Sequence, residues 1–352
     1  MQKRRALIKT LSPLHIGSEE ILSPVVDFIW DKGKIFILNK DKLIETLEQK
    51  GLDTIFFQAV HCQEKVSKFL KENKIDYRHL AIQTMPAPEE VKYEIKRFLR
   101  LAGKICLPGS SIKGAIRTAI LFWGFKTNKK WQERLKKQYN NWKKAKNAFK
   151  ETSLDKIFGI NPHWDVFRNL AVSDNLKPIA SDVLKIVNAK RIYKDGRQTG
   201  IKVSLEVIKE NITVEHEIRL GCAREIVRNE FSFLSEANWG KLIEIINFWA
   251  KEMIEWEKKS IKDSNIKGFY NSLEKEISQK KSHEFFLRLG GYKTYFDQTL
   301  GLILKEMLSD FEWERFVKRI APKVPSKVKE FPNTIWNCDN KVIGWVKVCV
   351  VC

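Results

Sequence analysis

The sequence predicts an α+β protein built from two halves, approximately residues 1–180 and 181–352. Strand-like alternation of apolar and polar residues opens and closes the chain, and segments with helical periodicity interrupt the strands in both halves. A hydrophobic content of 43%, with eleven tryptophans, is sufficient to form cores. A length of 352 residues fits two domains of ordinary size.

Each predicted element of the first half follows from a local pattern. Residues 5–11 alternate as a strand does, and the apolar runs 25–30 and 34–38 flank Asp31-Lys32-Gly33, a sequence typical of a hairpin turn. Asp41 is the expected N-cap of a helix that extends to about Gln49. The remaining predictions are helix at 54–72, strand at 79–84, strand in preference to helix at 91–101, and helix at the end of the segment 107–121.

Residues 126–150 form a basic insertion with a helical stripe of apolar side chains. This segment contains ten Lys or Arg and one Glu. Its apolar residues recur at steps of three and four, which predicts an amphipathic helix. They are Trp131, Leu135, Tyr139, Trp142, Ala145 and Phe149. Two interpretations are equally favoured: a solvated helix packed by its aromatic side, or a helix that faces phosphates.

The second half returns to strands. Segments 183–193, 201–205 and 212–220 are predicted to form a meander, with 194–200 as an exposed turn. A long helix begins near Asn238 and opens a helical insertion at 236–282; its apolar seam is more typical of a core than of a ligand site. A strand at 284–289, a Gly290-Gly291 break, a helix at 294–308 and strands at 333–337 and 342–351 follow.

The net charge of +21 is the strongest indication of function. Sixty-four Lys and Arg face forty-three Asp and Glu, and such an excess attracts polyanions. No apolar run approaches the roughly 20 residues that span a bilayer. The first residues lack the apolar region of a signal peptide. We therefore expect a cytoplasmic protein with reduced thiols that binds nucleic acid and no membrane.

The cysteines do not form a disulfide framework. Four are isolated in the sequence, which fits small buried hydrophobic residues. Cys349 and Cys352 form a CxxC pair, and Cys338 would add a third ligand of a zinc site. A fourth ligand is not evident. The favoured interpretation is that these are ordinary strand residues, so we predict no metal and no cofactor.

The segment Leu107–Ala119 has the pattern of an anion-binding helix start. A turn with Gly109 precedes the helix, Ser110 or Ser111 is the expected N-cap, and the N–H groups of the first turn attract anions. Lys113 and Arg117 are four residues apart and share one face, where a phosphate would relieve their mutual repulsion. Gly114 leaves room for a backbone to approach. A basic first turn without a ligand is the alternative. The segment is not a Walker loop, because Ala115 stands where that motif requires lysine.

These residues carry a resemblance to a known family. The run PGSSIKGAIRTA resembles the glycine-rich signature of the RAMP superfamily of CRISPR-associated proteins, and IKTLSPLHIGS resembles the first strand and loop of its members. FRNLAVSDNLKP at 167–178, LRLGGYKTYFDQTLG at 287–301, and FPNTIW with IGWVKV near the C-terminus resemble the fifth subunits of type III-A (Csm) effector complexes. The resemblance implies tandem RRM-like (ferredoxin-like) halves with helical insertions.

The resemblance also implies a non-catalytic subunit that caps the complex where it holds the 3′ side of the CRISPR guide RNA and that guide maturation requires. Its implied partners are the guide, target RNA, the backbone subunit 3 and small subunit 2 of the complex, and host nucleases that trim the guide. Base pairing would read the sequence, and the protein would hold the backbone. The residues that we expect to contact RNA are His15, Gly17, Ser18, Gly109, Ser110, Ser111, Lys113, Gly114, Arg117, Lys190, Arg191, Arg197, Arg288, Gly290, Gly291 and Lys293.

An endonuclease is the alternative from a different class, because some RAMP relatives cleave RNA. His15, in the loop after the first strand, is the best candidate for a general acid or base. It could equally contact RNA or hold its own loop. His216 falls on the apolar side of a predicted strand and is expected to be a core histidine, and Asp174 is either catalytic or a cap.

Overall fold

The structure, a computed structural model, describes residues 2–144, 157–159, 163–221, 229–322 and 331–351. Up to residue 172 its strands are β1 Gln2–Thr10, β2 Gly17–Leu22, β3 Phe28–Asp31, β4 Lys34–Leu38, β5 Ala81–Pro86, β6 Ile95–Phe98, β7 Arg100–Leu101, β8 Lys104–Ile105 and β9 Leu170–Val172. The helices of this part are α1 Lys40–Gln49, α2 Asp53–His61, α3 Val66–Glu72, α4 Gly109–Thr127 and α5 Lys129–Lys144.

The later strands are β10 Leu184–Tyr193, β11 Gln198–Ile208, β12 Thr213–Leu220, β13 Glu284–Arg288, β14 Thr334–Cys338, β15 Lys341–Val342 and β16 Trp345–Val351. The later helices are α6 Trp239–Ser260, α7 Ser264–Ser278, α8 Tyr295–Gln298, α9 Gly301–Met307 and α10 Asp310–Ile320. This mixture of helices and sheets confirms the α+β class.

Two large sheets organise the fold. The first, in the order β13-β16-β1-β12-β9, has β1 antiparallel to both β16 and β12. The second has the order β15-β14-β10-β11-β6-β2. Each large sheet therefore contains strands from both sides of residue 180, and the two-domain division at that residue stays a prediction.

The predicted meander is wrong in one respect. β10 and β11 form an antiparallel hairpin in the six-stranded sheet, whereas β12 pairs with β1 in the five-stranded sheet. The physical reason lies in the four residues between β11 and β12, which let the chain leave one sheet and enter the other. Thr10 fixes this crossing, because its hydroxyl donates to the Lys209 carbonyl at 2.7 Å.

The predicted hairpin and the first helix are confirmed, with a corrected cap. Lys32 and Gly33 both have positive φ angles, 44° and 79°, which suit the tight turn between β3 and β4. The N-cap of α1 is Asn39, not Asp41: its side chain accepts hydrogen bonds from the N–H groups of Asp41 and Lys42. The helical stretch after α1 is two helices, α2 and α3.

The aromatic stripe of the basic insertion belongs to the core. Trp131, Leu135, Tyr139 and Trp142 are all buried, and Trp142 lies against Phe316 of α10 with ring centroids 5.2 Å apart. The packing interpretation of the aromatic side is thus confirmed. Ala145 and Phe149 lie outside the described residues. The opposite face of α5 is exposed and basic, with Lys129, Lys130, Arg134, Lys136 and Lys137.

Candidate nucleic-acid interface

The first turn of α4 is capped from another part of the chain. The predicted caps, Ser110 and Ser111, are wrong: the helix begins at Gly109 after Pro108, without a side-chain cap of its own. The Gly109 N–H donates to Asp174 Oδ1 at 2.8 Å, and the Leu107 N–H donates to Asn175 Oδ1 at 2.9 Å. Of the two roles open to Asp174, the structure shows a cap. Its carboxylate already occupies part of the anion-attracting end of the helix.

Four of the expected residues form one solvent-facing strip on α4. Ser110 and Gly114 are exposed, and Lys113 and Arg117 are half-buried. The spacing of three and four residues places them on one side of the helix. The opposite side packs into the core through Ile112, Ile116 and Ile120, among others. We call these four residues the α4 strip.

The two cations of the α4 strip, Lys113 and Arg117, differ in their ion pairing. Arg117 Nη1 lies 3.1 Å from Asp165 Oδ2, and its guanidinium lies 4.7 Å from the ring centre of Phe158. Within the described part of the chain, no carboxylate forms an ion pair with Lys113. Partial burial lowers the pKa of Lys113, Asp165 opposes this shift, and Arg117 adds to it. An incoming phosphate would therefore meet one half-buried ammonium that no carboxylate of the described residues pairs with.

The two glycines of this segment have different roles. A Cβ on Gly109 would overlap the carbonyl groups of Val172 and Ser173, so this glycine permits close packing of α4 against the end of β9. Nothing lies within 4 Å of a Cβ placed on Gly114. Only Gly114 therefore leaves open space for a ligand.

The loop after β1, residues 11–16, and the loop after β13, residues 289–294, meet at a contact that we call the loop junction. The Gly291 N–H donates to the His15 carbonyl at 3.0 Å, and Gly290 has a φ of +77°. A Cβ on Gly290 would overlap that carbonyl, which makes glycine necessary there. Gly17 is exposed, and Ser18 is half-buried with its hydroxyl 3.4 Å from the Arg97 carbonyl.

His15 is a buried structural group in this arrangement. Its side chain is 2% exposed, and Nδ1 lies 2.8 Å from the Glu206 carbonyl oxygen, so Nδ1 carries the hydrogen. Burial lowers the pKa of His15, against the opposing effects of the Glu206 carbonyl and carboxylate. A neutral imidazole held in this way orients its loop. His216 is a core histidine as predicted, fully buried with Nδ1 2.9 Å from the Ser173 carbonyl oxygen.

Arg288 departs from the expectation of an RNA-facing residue. Its side chain is fully buried, with Nη1 2.7 Å from Asp297 Oδ2 and 3.1 Å from both carboxylate oxygens of Glu257. Charge pairing at the end of β13, which sequence periodicity cannot show, directs this arginine into the core. Lys293 is half-buried, and its Nζ lies 3.3 Å from the Arg288 carbonyl oxygen. Burial lowers its pKa.

The β10–β11 hairpin holds the three remaining expected residues, two of which are paired with acids. Lys190 Nζ lies 2.6 Å from Glu89 Oε1, and Arg197 lies 2.7 Å from Asp195 Oδ2. Arg191 is exposed, and its Nε donates to the Thr334 hydroxyl at 3.0 Å. Arg191 and Arg197 are both exposed, and Arg191 differs in that this partner is a neutral hydroxyl.

Sequence reasoning missed an aromatic pair beside the loop junction. The rings of Tyr292 and Trp336 are half-buried and 5.0 Å apart at 87°, and Tyr292 also lies 5.6 Å from the His15 ring. The ammonium of Lys96, an exposed residue, lies 5.7 Å from the Tyr292 ring centre. Aromatic rings beside a lysine suit a nucleotide. Both rings fall within motifs that carry the family resemblance, GGYKTY and FPNTIW. These motifs were the sequence signal that could have identified the pair.

The expected residues thus fall into three groups rather than one site. The α4 strip lies beside β9, and the loop junction follows β13. These two strands form opposite edges of the five-stranded sheet, but the His15 side of the junction follows β1, the central strand of that sheet. The hairpin belongs to the other large sheet. An extended strand of nucleic acid could contact more than one group.

Comparison with known proteins defines the class to which this architecture belongs. The family model of the RAMP superfamily matches residues 7–296, and the chain belongs to that superfamily. In the part of the chain that the structure describes, no helix is both long and apolar enough to cross a bilayer.

More particular similarities point to one kind of RAMP protein and confirm the resemblance to fifth subunits. A relative from Methanocaldococcus jannaschii, described as CRISPR system Cms protein Csm5, is 24% identical over 97% of this chain and 87% of its own length. A chain in the cryo-EM structure of a Csm–crRNA–target RNA ternary complex of a type III-A CRISPR-Cas system superposes with a TM-score of 0.79, at 23% identity, over 99% of this chain and 100% of that one. The crystal structure of T. onnurineus Csm5 gives 0.73, at 21% identity, over 97% and 99%.

Proposed function

We propose that this protein is a Csm5-type subunit of a type III-A CRISPR ribonucleoprotein and binds guide RNA without cleaving it. The observation that carries the proposal is a likeness that spans nearly the whole chain, both to a Csm5 relative and to a chain of a Csm–crRNA–target RNA complex. The net charge of +21 supports an RNA partner.

The proposed role is to cap the protein filament where it holds the 3′ side of the guide. The α4 strip would contact phosphates, and the loop junction with Tyr292 and Trp336 would receive a neighbouring nucleotide. The backbone subunit 3, the small subunit 2 and target RNA are the proposed partners in the assembled complex. Support for guide maturation, with host nucleases that trim the RNA, and a cytoplasmic location belong to the same proposal.

The endonuclease alternative has no observation in its favour. His15 is buried, and burial lowers its pKa, so it is poorly placed to exchange protons with an RNA ligand. We expect His15→Ala to leave RNA cleavage by the assembled complex unchanged. Loss of cleavage, with the complex still intact by gel filtration, would establish the alternative.

Co-purification tests the proposed assembly. The protein, tagged and expressed in a host with the CRISPR locus, is expected to bring down other Csm subunits and RNAs that contain spacer plus repeat. Sequencing of the bound RNA should show a shared 5′ part and variable 3′ ends. Mixed cellular RNA, or no RNA, would contradict the proposal.

Charge reversal tests the α4 strip. Lys113→Glu combined with Arg117→Glu should weaken guide retention by about 1.5–3 kcal/mol per lost contact, equally for guides of different sequence. Lys42→Glu with Lys50→Glu, on exposed positions of α1 and its end, makes the same change in net charge and is the control. Affinity is measured by filter binding with several guides. Equal losses in both double variants, or a loss that depends on guide sequence, would refute a specific backbone contact.

A further inference from the structure

A cluster of three different metal-ligating side chains lies at the start of β13, and the RNA-binding proposal does not use it. It consists of His283, Glu284 and Cys349. One donor atom from each, an imidazole nitrogen, a carboxylate oxygen and the thiol sulfur, lie within 4.8 Å of one another, and all three side chains are half-buried. Among the residues that the structure describes, no other group of histidine, cysteine and acidic side chains meets this geometry.

The backbone holds these donors in place. Glu284 and Cys349 are direct partners across the antiparallel pair β13–β16, a position that brings side chains on one face of a sheet to within about 5 Å. The His283 carbonyl accepts a hydrogen bond from the Val350 N–H at 3.0 Å, which ties this residue to the same strand. Two of the three donors therefore sit on paired strands, and His283, in the turn before β13, is tied to them by its backbone.

The donor set selects the kind of ion. Mg²⁺ and Ca²⁺ prefer oxygen ligands alone, whereas a thiolate, an imidazole and a carboxylate together suit Zn²⁺. Three protein ligands leave a fourth position of a tetrahedral ion for water. We infer that His283, Glu284 and Cys349 bind one zinc ion, which links the start of β13 to the C-terminal strand β16.

The ion pair between Lys347 and Glu284 need not prevent zinc binding. Lys347 Nζ lies 3.9 Å from Glu284 Oε1, but it also lies 3.7 Å from the carboxylate of Glu276 on α7. Lys347 can therefore remain paired with Glu276 when zinc takes Oε1. Glu284 Oε2 accepts from the Lys281 N–H at 3.0 Å, a bond that orients the carboxylate and that zinc need not disturb.

The thiol must lose its proton when zinc binds. Burial and, to a smaller extent, the Glu284 carboxylate raise the pKa of Cys349, while the two neighbouring lysines oppose this. A zinc ion at the site would offset the negative charge of Glu284 and so favour the thiolate form of Cys349. Zinc affinity is therefore expected to fall as the pH is lowered, because protons compete for the ligands.

Three other cysteines, Cys338, Cys352 and Cys62, are not among the proposed zinc ligands. Cys338 is buried on β14 in the other large sheet, so the three-cysteine set considered from the sequence is not assembled around it. Cys352 lies outside the described residues and is not part of the proposed set. Cys62 is an exposed thiol on the end of α2 and provides a matched control.

The test uses the full-length protein freed of RNA and stripped of metal with a chelator. Zinc is titrated against a chromophoric competitor, and cobalt is used as a spectroscopic probe. We expect one equivalent of zinc, a thiolate-to-cobalt charge-transfer band, and a higher unfolding temperature with zinc. Cys349→Ser and His283→Ala should each lower zinc affinity at least tenfold. Cys349→Ser should also abolish the band, because its sulfur is the source of the charge transfer, and Cys62→Ser should change neither the affinity nor the band.

A second measurement keeps the test decisive if either variant fails to fold. In the unaltered protein, zinc should slow alkylation of Cys349, followed by mass spectrometry, and should leave alkylation of Cys62 unchanged. Lack of protection, or zinc binding that persists at full affinity in Cys349→Ser and His283→Ala, would overturn the inference. Because none of these readouts involves RNA, the outcome is independent of the proposed function.

Discussion

Two glycines of α4 that look equivalent in the sequence are expected to respond in opposite ways to the same substitution. In Gly109→Ala, the new Cβ would lie 2.7 Å from the carbonyl carbon of Ser173 and closer still to two carbonyl oxygens. These atoms belong to the backbone and cannot rotate away, so the start of α4 must move. In Gly114→Ala, nothing lies within 4 Å of the new methyl group.

The magnitudes follow from these contacts. Overpacking at Gly109 should cost about 1–3 kcal/mol. Loss of the hydrogen bond from its N–H to Asp174 adds about 1.5–3 kcal/mol, because the acceptor is charged. Gly114→Ala should instead stabilise the protein by about 0.5–1 kcal/mol, since alanine is the better helix former at an open position. Both substitutions reduce the freedom of the unfolded chain equally, so this contribution cancels in the comparison.

Urea denaturation of the two variants and of the unaltered protein provides the assay. The free energy of unfolding should fall by about 2.5–6 kcal/mol for Gly109→Ala and rise slightly for Gly114→Ala. An unchanged free energy of unfolding for Gly109→Ala would refute the close packing of α4 against the end of β9. Filter binding adds a second result: if RNA lies against Gly114, its alanine variant should lose affinity for guide RNA while remaining fully folded.

Two further predictions concern the buried ion cluster around Arg288. Arg288→Met should lower the free energy of unfolding by about 3–5 kcal/mol, because Glu257 and Asp297 would remain buried without their guanidinium partner; an unchanged urea midpoint would contradict this. Lys194→Met should stabilise the protein most below pH 7 and progressively less towards pH 10. Lys194, expected from the sequence in an exposed turn, is buried. Burial lowers its pKa to about 7 from an ordinary value of 10.5, so across that interval the unfolded state binds a proton that the folded state does not. Urea denaturation of the unaltered protein and of Lys194→Met at pH 6.5 and 9 measures the difference in their free energies of unfolding. A difference that is the same at both pH values would count against a buried Lys194 amine.

Local patterns were sufficient for much of the secondary structure. The β3–β4 hairpin, the helix at Gly109 and the long helix α6 were all predictable from turn residues and apolar spacing. These signals involve residues a few positions apart, where backbone geometry alone relates sequence to structure. Helix caps were less predictable, because the Gly109 cap comes from Asp174, 65 residues away in the chain.

The sequence by itself determined the α+β class, the basic character of the protein and the resemblance to RAMP proteins, because composition and short motifs carry these properties. Only the tertiary structure decided that β12 joins β1, that Arg288 is buried, and that His283 and Glu284 meet Cys349. Strand pairing and charge burial depend on residues brought together from distant parts of the chain. Their energies arise from contacts and desolvation in the folded state, which no local pattern contains.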